Sequence, residues 1–238
     1  GSIDQTIRLW DSRSGIPGRV LAGHSHWVWG VAFGNSNTTL YSVGDSTLKT
    51  WNTLTGKQEH SIEVTDKQVR ALALTPDRKL AVVGDNEGRV TTWDLDSGEL
   101  KATLTRHTSE VSGVAVSPDG KWIASAGFDG KLLIHSADNG KLARTLKGSE
   151  APLQSLAFRP DSQHIAAGSQ ESEVFIWNVN DGTPQAGVAD DDAGFVFRLA
   201  WSPNGRQLVS AQENGTVLVR RPGDRGELKS FEAHQDGV

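Results

Sequence analysis

His24, Ser42 and Asp45 supply the three side-chain types of a hydrolase triad: a hydroxyl nucleophile, an imidazole base and a carboxylate to orient it. Catalysis from them requires an exposed nucleophile, its base within reach and oxyanion donors beside it. Asp190, Asp191 and Asp192 offer the hard oxygen ligands that calcium prefers, but without the alternating spacing and glycine of a calcium loop they read as a solvated acidic loop. His24 and His26 lack a third ligand to make a zinc site. No GxxxxGKS/T phosphate loop occurs, and the glycines fall at turns rather than between a strand and a helix, so nucleotide binding has no support. With no Cys in the chain, a disulfide scaffold, a thiolate metal site and a cysteine nucleophile are excluded. The sequence predicts no cofactor and no metal.

Composition narrows the partners. The 238 residues are 36% hydrophobic and 22% charged, enough apolar content for a substantial core and too much for a disordered chain. The net charge is −5 and the 24 basic residues are scattered, which argues against a nucleic-acid surface, because such a surface clusters Lys and Arg to displace counterions. Arg220, Arg221 and Arg225 form only a small basic group, read as a solvated turn. No apolar run approaches the length of a membrane span, so no membrane partner is expected.

The elements that must position these residues repeat. Trp10, Trp51, Trp93 and Trp177 lie in matching segments, TIRLWD, TLKTWN, RVTTWD and EVFIWN, with His135 in KLLIHS and Arg220 in TVLVRR in the same slot, so successive members are 41 to 43 residues apart. A second series begins at Val28, Val69, Val111, Leu153, Val196 and Val238 and opens short apolar runs such as VWGVAF and VSGVAV. Turn signals (TPDR, SPDG, RPDS, SPNG) close those runs, which reads as strand and tight turn. A second strand follows in each unit (LYSV, LAVV, WIAS, HIAA, QLVS), the Trp-bearing segment is a third, and a Gly turn leads to a fourth. Four antiparallel strands per unit without helical periodicity predict an all-β propeller, whose units bury their faces only against their neighbours. The expectation is five complete blades plus parts of a sixth, a fragment of a six- or seven-bladed ring in one domain. Residues 1–22 end one repeat; 23–64, 65–105, 106–147, 148–190 and 191–232 are whole repeats; 233–238 start another. An open ring would expose unpaired strand edges, a route to self-association.

The order Gly-His, apolar strand, Ser-Pro-Asp-Gly, small-residue strand, Asp turn and Trp-Asp resembles the WD-repeat family across nearly the whole chain. The resemblance implies that a His before the first strand, a Ser or Thr on the second, an Asp in the next turn and the Trp form a buried hydrogen-bonded set. His24, Ser42, Asp45 and Trp51 offer all four, in a unit whose second hairpin is one residue shorter than the others. His107, Ser125 and Asp129 repeat the set with His135 in place of Trp, while Glu87, Glu171 and Asn214 replace the Asp elsewhere. On this reading the triad types are structural rather than catalytic.

The resemblance also implies that the loops entering each first strand, with the turn before each third strand, form one rim around the mouth of a central channel. Here that rim presents Trp27, Phe128 and Phe195, with Asp66, Lys67, Glu110, Glu150, Gln170 and Glu213 nearby. Aromatics ringed by polar groups suit a protein-binding hot spot; the alternative is that Trp27 and Phe195 fold down onto their own blades as packing. The expected function is therefore a non-catalytic scaffold for a protein or peptide partner. The alternatives are a regulatory or structural module appended to a catalytic domain outside this stretch, and a propeller that binds a small ligand or acts as an enzyme.

Overall fold

In the computed structural model, which describes residues 1–104, 106–147, 150–189, 194–223 and 227–232, each apolar run marked by the repeat is a strand and no helix occurs among the described residues. The chain opens with a hairpin, β1 (Thr6–Trp10) and β2 (Pro17–Ala22). Five four-stranded antiparallel sheets follow, each a simple meander from the innermost strand outward. The first comprises β3 (Val28–Phe33), β4 (Thr39–Gly44), β5 (Thr47–Asn52) and β6 (Gln58–Glu63); the second β7 (Val69–Leu74), β8 (Leu80–Asp85), β9 (Val90–Asp94) and β10 (Leu100–Thr103). The third is β11 (Val111–Val116), β12 (Trp122–Gly127), β13 (Lys131–Ser136) and β14 (Leu142–Lys147); the fourth β15 (Leu153–Phe158), β16 (His164–Ser169), β17 (Glu173–Asn178) and β18 (Pro184–Ala189). The fifth is β19 (Val196–Trp201), β20 (Leu208–Gln212), β21 (Thr216–Arg220) and β22 (Glu227–Glu232). The five expected first strands thus begin at Val28, Val69, Val111, Leu153 and Val196. The expected carboxylate run Asp190–Asp192, Arg225 and the sixth first-strand residue, Val238, lie outside the described residues.

Burial follows position in the blade. A second strand has hydrogen-bonded neighbours on both edges and other blades over both faces, so β12 (WIASAG) is buried from Ile123 to Gly127 and is built of small residues that let sheets approach. A fourth strand such as β6 (QEHSIE) is the outer edge and is almost wholly exposed. The core lies between blades rather than within them. Val43, Leu48, Val69 and Val83 join the first blade to the second; Val82, Val111 and Ile123 join the second to the third. Ile134, Leu153, Ile165 and Trp177 join the third to the fourth, and Ile176, Val196 and Leu208 the fourth to the fifth. The hairpin packs on the first blade through Ile7, Leu21, Val28, Leu40 and Trp51. At Gly30 this approach excludes any side chain, since a Cβ there would sit 2.9 Å from Cβ of Leu72 on the next blade.

One irregularity repeats in every blade. The pairing of first with second strand slips after its opening residue: Val28 pairs with Gly44 but Gly30 with Val43, and the same shift occurs after Val69, Val111, Leu153 and Val196. The residues skipped are Trp29, Arg70, Ser112, Gln154 and Phe197. A bulge of this kind leaves one residue without a cross-strand partner and re-aims its side chain.

Candidate functional site

The polar set of the first blade closes into a chain of hydrogen bonds. Trp51 Nε1 donates to Ser42 Oγ at 2.7 Å, Ser42 Oγ lies 2.7 Å from His24 Nε2, and His24 Nδ1 lies 3.3 Å from Asp45 Oδ2. Because an ionised Asp only accepts, Nδ1 carries the proton and the Ser42 hydroxyl donates to Nε2. Asp45 also accepts from the Ser25 amide and from the amide and hydroxyl of Thr47. The short hairpin is a two-residue turn in which Gly44 pairs directly with Thr47 and Asp45 takes a φ of +47°. Glycine at 44 leaves room for the imidazole, since a Cβ there would lie 3.2 Å from His24 Nδ1. Burial lowers the His24 pKa, with Asp45 pulling the other way. Burial also pushes Asp45 upward, but its hydrogen bonds from Thr47 and Ser25 and the nearby His24 outweigh it and hold the carboxyl at about 2.

The connectivity of Ser42, His24 and Asp45 is that of a hydrolase triad, yet its chemistry is blocked. Ser42 is fully buried, and a lone pair of its oxygen is engaged by Trp51. A nucleophile must be reachable by a substrate carbonyl, and this one is not. Removing the ring in His24→Ala takes the acceptor from the buried Ser42 hydroxyl and one donor from Asp45, and we expect a loss of about 1–3 kcal/mol, a few degrees of melting temperature. An unchanged melting curve in differential scanning calorimetry would contradict it.

The other blades vary the theme. In the third, His107 Nδ1 lies 2.9 Å from Asp129 Oδ1 and Nε2 lies 2.9 Å from Ser125 Oγ. His135 fills the Trp slot but does not reach Ser125; among the described residues neither ring nitrogen has a hydrogen-bond partner, and burial, helped by the neighbouring His107, lowers its pKa to about 4. The preceding glycine changes with it. A Cβ at Gly23 would lie 3.1 Å from the Trp51 ring, whereas the smaller His135 coexists with Arg106 at the matching place. In the second blade Asp85 stands where Gly44 and Gly127 stand elsewhere. Its carboxylate accepts from Arg89 Nε at 2.9 Å and from Thr65 Oγ1 at 3.2 Å, in the absence of a His–Asp pair. Sequence reading had singled out only Glu87 there; an acid in place of a glycine was the signal it passed over.

The five bulged residues converge on one cavity. Trp29, Arg70, Ser112, Gln154 and Phe197 line a cavity of about 440 Å³ together with Glu110, Phe128 and Arg198. Arg70 stacks over the Trp29 ring at 4.2 Å, and its Nε lies 3.2 Å from Glu110 Oε1 in an ion pair poorly aligned for a hydrogen bond. Burial raises the Glu110 pKa, and Arg70 opposes that. Trp27 is 49% exposed and its ring lies 5.3 Å from that of Trp29; Phe195, half-buried, meets Phe197 edge-on at 6.1 Å. The rim aromatics singled out from the sequence therefore reach the cavity directly at Phe128 and through a bulged aromatic at Trp27 and Phe195.

The polar rim residues are less free than the sequence suggests. Asp66 and Lys67 belong to an ion-pair chain: Arg89 to Asp66 at 2.7 Å, Lys67 to Asp66 at 3.7 Å and to Glu87 at 3.1 Å, and Arg106 to Glu87 at 3.6 Å. Gln170 donates to Gln154, and the Glu213 carboxylate accepts from the Phe195 amide. Glu150 is exposed. The bulged residues themselves escaped sequence reading, because a register slip leaves no mark in an apolar run.

Comparison with known proteins gives one family. The family described as WD domain, G-beta repeat, matches residues 15–52, 98–136, 140–178 and 188–220, more than half of the chain. The chain is similar to nuclear distribution protein PAC1-1 of Uncinocarpus reesii, 38% identical over 26% of this chain and 16% of that protein. It is 51% identical to nuclear distribution protein PAC1 of Mycosarcoma maydis over 18% of this chain and 10% of that protein. To nuclear distribution protein nudF of Aspergillus terreus it is 40% identical over 22% of this chain and 12% of that protein. The matched stretches thus span at most 16% of the length of these relatives.

Proposed function

The chain belongs to the WD-repeat family, and from that premise we propose that it is a non-catalytic scaffold that binds a protein or peptide on the rim around its channel mouth. The observation that carries this reading is the half-exposed Trp27 packed at a tilt against Trp29 beside a cavity walled by Trp29, Phe128 and Phe197. Aromatic side chains give large contact area at low entropic cost, and a pocket beside a fixed indole is where interface energy concentrates. The strands beneath are tied to neighbouring blades, so the rim is held rigid and little ordering cost falls on binding. The network formed by His24, Ser42, Asp45 and Trp51, and its partial copy at His107, Ser125 and Asp129, serves to fix the loops that carry this rim.

Affinity capture of partners from extract, compared between the protein and two variants, tests the reading. Trp27→Ala removes an aromatic whose loss at a hot spot typically costs about 2 kcal/mol, so the recovered partner should bind about thirtyfold more weakly. Leu54→Ala removes a more exposed apolar residue, 66% accessible, from the turn between β5 and β6 at the opposite end of the blade, and should leave capture unchanged. Equal capture by the protein and Trp27→Ala would sink the assignment of this rim.

A further inference from the structure

The second residue after each opening residue of the innermost strands is small in four blades, namely Gly30, Ala71, Gly113 and Ser155, and is Arg198 in the fifth. A deeper cavity of about 310 Å³, continuous with the mouth through Trp29, Arg70 and Arg198, is lined by all five. The guanidinium thus enters space that the other blades leave empty. Among the described residues its one hydrogen bond is to the carbonyl oxygen of the adjacent Phe197, and no carboxylate lies within ion-pairing distance. Arg70, the other cation there, is already opposed by Glu110, so the described charged groups lining the cavity sum to a single uncompensated positive charge. Arg198 is exposed to solvent from this space, so its charge is reachable by a ligand, and the protein around it lowers its pKa.

We propose that the channel mouth takes a carboxylate of the partner protein, gripped by the Arg198 guanidinium between the aromatic walls of Trp29, Phe128 and Phe197. The planar guanidinium fork matches a carboxylate in a paired arrangement, and the flanking walls favour apolar residues on either side of the acid. A phosphate ester, with close to two negative charges, calls for more than one free cation, and the described residues lining the cavity supply only Arg198. The acid is an Asp or Glu side chain, or a chain terminus, since both present the same group. This inference rests on the reading of the mouth as a protein-binding rim.

Four synthetic probes test it by titration against the ¹⁵N-labelled protein, followed at the Arg Nε–H and Trp indole signals. They are blocked Gly-Phe-Asp-Phe-Gly, its Asn and phosphoserine counterparts, and Gly-Phe-Phe with a free carboxyl end. The Asp probe should bind about tenfold more tightly than the Asn probe, as expected for a charge-assisted pair. Arg198→Gln should erase that preference and leave the weak Asn binding in place, while Arg198→Lys, which keeps the charge and loses the fork, should retain a reduced preference. Comparable binding of the free-acid probe assigns the group to a chain terminus, and weaker binding to a side chain; either supports the proposal. Equal binding of Asp and Asn probes, an Asp preference that survives Arg198→Gln, or tighter binding of phosphoserine than of Asp overturns the carboxylate and leaves the rim standing. If no probe shifts the indole signals of Trp27 and Trp29, the rim reading itself falls.

Discussion

Trp51→Ala is expected to lower the melting temperature by about 10 °C, while the same change at Trp10 should shift it by no more than about a degree. Both tryptophans sit in the same slot of the repeat, one in TLKTWN and one in TIRLWD. Trp51 is 1% exposed, packs with Leu40, Val28 and Leu21, and is the donor that fixes Ser42. Truncating it opens a cavity worth about 3–5 kcal/mol and removes the donor to the buried Ser42 oxygen. Trp10 is 60% exposed at the end of β1 and has no such role. Trp51→Phe, which fills most of the space without the N–H, should fall between. Thermal melts of the three variants decide; a large loss for Trp10→Ala would mean that β1 and β2 are packed far more tightly than their exposure indicates.

The second large effect belongs to His135 and to pH. Its folded pKa is about 4 against an ordinary value near 6.5, so on acidification the unfolded chain takes up a proton before the folded one does. Stability from this residue is therefore full above pH 6.5 and falls as the pH drops from 6.5 toward 4. The loss amounts to about 2 kcal/mol by pH 4.5. His24, whose pKa is also lowered by burial, adds to the fall in the same direction. Asp45, held at about 2, contributes stability that is present above pH 4 and is lost only as the pH falls from there toward 2, so the windows separate. His135→Phe removes the titration and the two unpaired ring nitrogens. It should raise stability by about 1 kcal/mol at pH 7 and by more at pH 5, flattening the upper part of the curve. Urea unfolding of both proteins from pH 7 to 4.5 measures this. A variant less stable than the parent, with the same slope, would show that His135 is not a buried neutral ring.

The fold is legible in local stretches of the chain. A period of 41 to 43 residues, apolar runs opening at Val28, Val69, Val111, Leu153 and Val196, and Asp- or Gly-bearing turns between them specify four-stranded antiparallel units that must stack to bury their faces. Those signals are local: strand, turn and spacing are each written in a handful of adjacent residues. Residue type also marked where the repeat is broken, as at His135 in a Trp slot.

Which side chains meet depends on how the blades pack. No local pattern says that Asp85, in a glycine position, will reach back to Arg89 and Thr65, or that Asp66 and Lys67 are held by Arg89 and Glu87 instead of standing free. The mouth shows this most clearly. VWGVAF and VRALAL look like uninterrupted strands, yet pairing against β4 and β8 skips Trp29 and Arg70 and turns them toward the axis, where residues more than forty positions apart become neighbours. A bulge arises from how two strands settle against each other and against the adjoining blade, so the residues it aims into the cavity become defined only when the blades pack.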